Sequence, residues 1–76
     1  MAETVYSATR TFSNIQGRQV VSVDAGTGSV TLECRHGADN WLTVEIFDAD
    51  TAKVVDFGAR GRTYRFTVSG NATYAL

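Results

Sequence analysis

Ser29-Val30-Thr31-Leu32-Glu33-Cys34-Arg35 alternates apolar and polar side chains without a break. Successive side chains of an extended strand point to opposite faces. Val30, Leu32 and Cys34 therefore share one face, and Thr31, Glu33 and Arg35 the other. Upstream, Asp24-Ala25-Gly26-Thr27-Gly28 reads as a turn, because its two glycines admit positive φ. Before it, Arg18 to Val23 reads as a second strand with Val21 and Val23 on one face, and the two strands are expected to form a hairpin.

The same alternation continues downstream. After a loop at His36-Gly37-Ala38-Asp39-Asn40, the stretch Trp41-Leu42-Thr43-Val44-Glu45-Ile46-Phe47 puts Leu42, Val44 and Ile46 on an inward face. Trp41, Thr43, Glu45 and Phe47 then fall on the other. Asp48 to Thr51 turns the chain, and Lys53 to Phe57 returns as a strand. Gly58 to Gly61 turns it again. Thr63 to Ser69 alternates with Tyr64, Phe66 and Val68 inward, and Gly70-Asn71 leads to a last short strand over Thr73 to Leu76. Thr4 to Phe12 is a weaker strand. Six to seven short strands at a spacing of roughly ten residues, with no helical periodicity, predict an all-β fold: a small antiparallel β-sandwich or barrel. One domain is expected over residues 1–76, with residues 1–17 a peripheral strand or arm.

Composition narrows what such a domain does. Seven basic residues stand against eight acidic ones, a net charge of −1, so the basic surplus that neutralises phosphates is missing and nucleic acid is not an expected partner. No run is long enough to span a membrane, and the opening Met1-Ala2-Glu3-Thr4-Val5-Tyr6 lacks a basic start followed by an apolar stretch. No membrane contact and no secretory leader are expected. Cys34 is the only cysteine, so no intrachain disulfide can form, and it is ordinary in a reducing cytoplasm. A domain of this size has a thin stability margin, and association is a common source of the remainder.

The residues that could carry chemistry are sparse. Cys34 and His36 lie two apart, but Cys34 belongs to an apolar face and no nucleophile signature surrounds it. The same two are the only soft metal ligands, against about four for a closed zinc site. Asp48, Asp50 and Asp56 could offer oxygens to a hard cation, but the spacing is not that of an EF-hand and aspartates are common turn residues. The loops at Gly26 and Gly58 are not followed by helices and do not form phosphate cradles. Arg60-Gly61-Arg62 is locally basic, and Asn71-Ala72-Thr73 is an incidental sequon. No enzyme activity, cofactor, metal site or small-molecule ligand is expected.

The aromatics remain. With Leu42, Val44 and Ile46 inward, Trp41 and Phe47 are left on the other face of one strand, although burying each contributes about 1.5–3 kcal/mol. The strand is central and covered on both sides, or its faces are inverted, or its outer face docks on another protein, where tryptophan is a favoured anchor. The last reading makes Trp41, Thr43, Glu45 and Phe47 the candidate interface.

The segment around Asp24-Ala25-Gly26-Thr27-Gly28, together with the tail Gly61-Arg62-Thr63-Tyr64-Arg65-Phe66-Thr67-Val68-Ser69-Gly70-Asn71-Ala72-Thr73, resembles small β-sandwich structural proteins of tailed bacteriophages. These include head-decoration subunits and tail or fibre modules, and the likeness runs from about Arg18 to the end. The two cysteines about a core tryptophan that mark an immunoglobulin domain are absent. The resemblance implies a non-enzymatic virion protein that contacts its own copies and a capsid or tail protein. Such a protein resides in the host cytoplasm during assembly and in the virion afterwards. Two other readings stay open: a carbohydrate- or peptide-binding module using Trp41, Asn40 and Asp39, and a single-stranded nucleic-acid barrel using Tyr64, Phe66 and the Arg60 to Arg65 cluster.

Overall fold

Alternation becomes eight short strands in the computed structural model, which describes residues 4–59 and 61–76. They are β1 (Val5–Tyr6), β2 (Arg10–Ile15), β3 (Arg18–Asp24), β4 (Ser29–His36), β5 (Asn40–Phe47), β6 (Thr51–Asp56), β7 (Arg62–Ser69) and β8 (Thr73–Ala75). No helix forms among the described residues. The strands make two four-stranded antiparallel sheets, in the orders β1-β8-β3-β6 and β2-β7-β4-β5. The fold is a small all-β sandwich. Residues 4–17 supply one edge strand to each sheet.

The expected hairpin between β3 and β4 does not form. β3 pairs with β6 and β8, and β4 pairs with β5 and β7. The reason is burial: Val21, Val23, Val30 and Leu32 are all at most 5% exposed, and placing the two strands in opposite sheets points all four at one core. The turn crosses between the layers instead. It packs so closely on the β7–β8 turn that a Cβ at Gly28 would collide with the Ser69 carbonyl. Asn71 Oδ1 accepts from the Thr27 N–H at 2.9 Å and from the Thr27 hydroxyl at 3.1 Å.

Aromatic rings fill the layer between the sheets. Phe66 stacks on Tyr74 at 4.5 Å between centroids, and Tyr74 stacks on Tyr6 at 5.2 Å. Phe57 meets the edge of Tyr64 at 4.9 Å. The inward face expected for Tyr64, Phe66 and Val68 is the face observed: Phe66 is fully buried, and the other two pack against the core. Each flank of the sandwich is closed by contacts between edge strands. Tyr6 meets Phe12 at 5.4 Å between β1 and β2, and Lys53 Nζ lies 3.0 Å from Glu45 Oε1 between β6 and β5.

β5 departs from the strict alternation read in its sequence. Its pairing with β4 is Leu32↔Glu45 and then Glu33↔Thr43, which leaves Val44 as an extra residue in a β-bulge. One extra residue reverses the phase of the strand. Phe47 pairs with inward Val30 and is 3% exposed, so it belongs to the core and not to an outer face. Leu42, Val44 and Ile46 are 50–57% exposed and do not form the core face. β5 is an edge strand, so nothing covers them from the side.

Candidate functional site

The bulge divides the four residues expected to form an interface. Trp41 pairs with Arg35, and Thr43 with Glu33, both outward positions of β4. These two stay together on the outer face of the β2-β7-β4-β5 sheet. Glu45 pairs with buried Leu32 and turns to the flank, where it meets Lys53. Phe47 is inside. Ile46, opposite Thr31, takes its place on the outer face.

Trp41 is braced on that face. The guanidinium carbon of Arg65 lies 4.2 Å from the ring centroid, within cation–π range. Arg65 is anchored in turn: its Nε donates to Glu33 Oε1 at 3.0 Å, and the Thr67 hydroxyl donates to the same oxygen at 2.6 Å. The arrangement follows from strand register, since Glu33 and Arg65 are directly paired between β4 and β7. The Arg65 hydrogen bond, working against partial desolvation and helped by Thr67, holds the Glu33 carboxyl below the usual carboxylate range. The result is a flat platform of Trp41, Thr43, Thr31 and Ile46 around an ordered ion pair, beside an edge carrying Leu42 and Val44.

This platform contains no nucleophile with a base. Cys34 is half-buried and donates weakly to the Arg35 carbonyl at 3.7 Å, while His36 is exposed at the β4–β5 turn. Asp56 accepts from the Gly58 N–H at 2.8 Å, which is turn chemistry, and Asp50 accepts from the Ala25 N–H at 3.0 Å, which ties two loops together. Among the described residues no group of three or more His, Cys, Asp or Glu is placed to hold a metal ion. Phe66 is buried in the core, so Tyr64 and Phe66 do not form an outer stacking platform. Arg60 lies outside the described residues, Arg62 donates to the Arg35 carbonyl at 3.4 Å, and Arg65 is held by Glu33. Asn40 and Asp39 are exposed beside Trp41, one face of whose ring is covered by Arg65.

No family model, curated protein or solved structure matches this chain. The surfaces themselves carry the functional reading.

A second surface lies beyond the residues that alternation brings forward. On the outer face of the β1-β8-β3-β6 sheet, Val20 and Val54 are direct cross-strand partners, 60% and 59% exposed, and Val5 is 63% exposed. The signal is present in Val20-Val21 and Val54-Val55: adjacent valines put apolar side chains on both faces of a strand.

Proposed function

We propose that this chain is a non-enzymatic assembly subunit acting through protein–protein contacts, of the head-decoration or tail/fibre type found in tailed bacteriophages. Its Trp41 platform meets a capsid or tail protein of the particle. The observation that carries this reading is where the exposed aliphatics lie. Val5, Val20, Leu42, Val44, Ile46 and Val54 are each 50–63% exposed, and they sit on strand faces and one edge. Flat apolar surface suits another folded surface, whereas small ligands favour concave sites. A tryptophan held rigid by a neighbouring ion pair loses little freedom on docking, which suits it as an anchor.

Cosedimentation with purified heads and tails of the phage encoded on the same genome tests the proposal. The folded chain is expected to pellet with one of them. Trp41→Ala or Ile46→Glu should weaken that binding by about tenfold or more, as loss of an anchor residue does. A folded wild-type chain that stays in the supernatant with both particles overturns the reading.

A further inference from the structure

The geometry points to a two-fold symmetric dimer of this chain, formed through the outer face of the β1-β8-β3-β6 sheet. This deepens the assembly reading and rests on it, but uses the face opposite to the Trp41 platform.

The register lays that face out as rows. Val5, Ala75, Ser22 and Ala52 form one row across all four strands. Its centre is low: Ala75 is 5% exposed and Ser22 half-buried. A shallow depression of about 230 Å³ opens there; its lining includes the outward residues Val5, Ser22, Asp24, Thr73 and Ala75, together with Val23 and Tyr74 between them. The next row is the pair Val20↔Val54, which stands up as a ridge. Along β3 the outward residues read Arg18, Val20, Ser22, Asp24: a cation, the ridge, the low row, an anion. Arg18 is 80% exposed in its side chain and its only ion pair among the described residues is a long one, 3.8 Å to Asp56.

This order complements itself when reversed. A two-fold axis in the plane of the face, perpendicular to the strands and passing between the two rows, brings a second copy down with its strands antiparallel. Val20 and Val54 of each copy then sit over Ser22 and Ala52 of the other, and Arg18 of each faces Asp24 of the other. Val20 meets the rim of the depression at Ser22, Val54 meets the small Ala52, and Arg18 meets Asp24 of opposite charge, the conditions of an isologous interface. Size permits it: the molecule measures 32 × 30 × 16 Å, and its broad face can supply the roughly 800 Å² per partner that a standard interface covers. A second copy is therefore the occupant this face fits, ahead of an unrelated protein.

Sedimentation equilibrium on the full chain tests the proposal. The wild type is expected to dimerise. Arg18→Glu and Asp24→Arg are both at exposed positions and are expected to leave the fold intact, which circular dichroism checks. Each alone should weaken dimerisation by about tenfold or more, because the symmetric contact then pairs like charges twice. An equimolar mixture of the two should recover wild-type affinity as a heterodimer, since both contacts become opposite-charge pairs. Val54→Glu should be monomeric. A monomeric wild type at high micromolar concentration, or single-charge variants that dimerise as the wild type does, overturns the pairing. So does a mixture with no recovery. Particle binding through Trp41 that persists in a monomeric Val54→Glu variant shows the two surfaces failing or holding separately.

Discussion

Tyr74 places a phenol where nothing answers it. The ring is 1% exposed, stacked between Phe66 and Tyr6, and its Oη has no hydrogen-bond partner among the described residues. A buried hydroxyl left unpaired costs about 1–3 kcal/mol, while the ring packing is independent of it. Tyr74→Phe is therefore expected to stabilise the fold by about 1 kcal/mol in urea denaturation. Burial also pushes the phenol up to about 12. The unfolded chain releases that proton near ~10, so between the two values the unfolded state binds fewer protons and stability falls as pH rises. That fall should shrink in Tyr74→Phe. What remains comes mainly from Tyr64, whose phenol burial also raises. A variant that loses stability at neutral pH would show that the hydroxyl has a partner.

At the scale of the element, β5 shows what parity can and cannot tell. β4 and β7 pair without interruption from Ser29↔Ser69 to Cys34↔Tyr64, so a period of two places Val30, Leu32 and Phe66 correctly inside. β5 contains one residue too many, and no glycine marks the place. The remaining sign was Glu45, a charge between Thr43 and buried Phe47 on what looks like one stripe. The hairpin expected at Asp24 to Gly28 failed for a related reason: local turn residues do not say which sheet the next strand joins, which is settled by the shared core. The bulge yields a prediction that strict alternation would reject. Deleting Val44 should leave every β4–β5 partner in place, because Glu45 and Thr43 already face consecutive residues of β4. The deletion is expected to cost no more than about 1 kcal/mol in thermal or urea unfolding, as for a change at an exposed edge. Deleting Thr31, in unbulged β4, should abolish folding by moving fully buried Leu32 outward. Equal damage from both deletions would refute the assigned register.

At the scale of the whole molecule, each of the four sheet edges is blunted. β1 has two residues. β2 breaks register between Phe12 and Ile15, with Asn14 at φ 65°. β5 is bulged. β6 carries Lys53 opposite fully buried Val21, a charge on the core-facing side of an edge strand. Such devices discourage strand addition, which leaves the faces as the surfaces for ordered association and is consistent with both docking surfaces proposed above. The Lys53–Glu45 pair adds little stability, since the side chains are 50% and 38% exposed and such pairs are worth about 0–1 kcal/mol. Its weight lies in specificity. Lys53→Val would remove the one charge between Ala52 and Val54-Val55. The edge would become an uncharged, mostly β-branched run of the kind that adds strands without limit. The variant is expected to unfold within about 1 kcal/mol of the wild type, yet to form species larger than a dimer, seen as rising light scattering and thioflavin fluorescence. Lys53→Arg should behave as the wild type. A Lys53→Val protein that stays as small as its parent would show that β6 is protected by something other than its lysine, and that this charge does not steer association onto the faces.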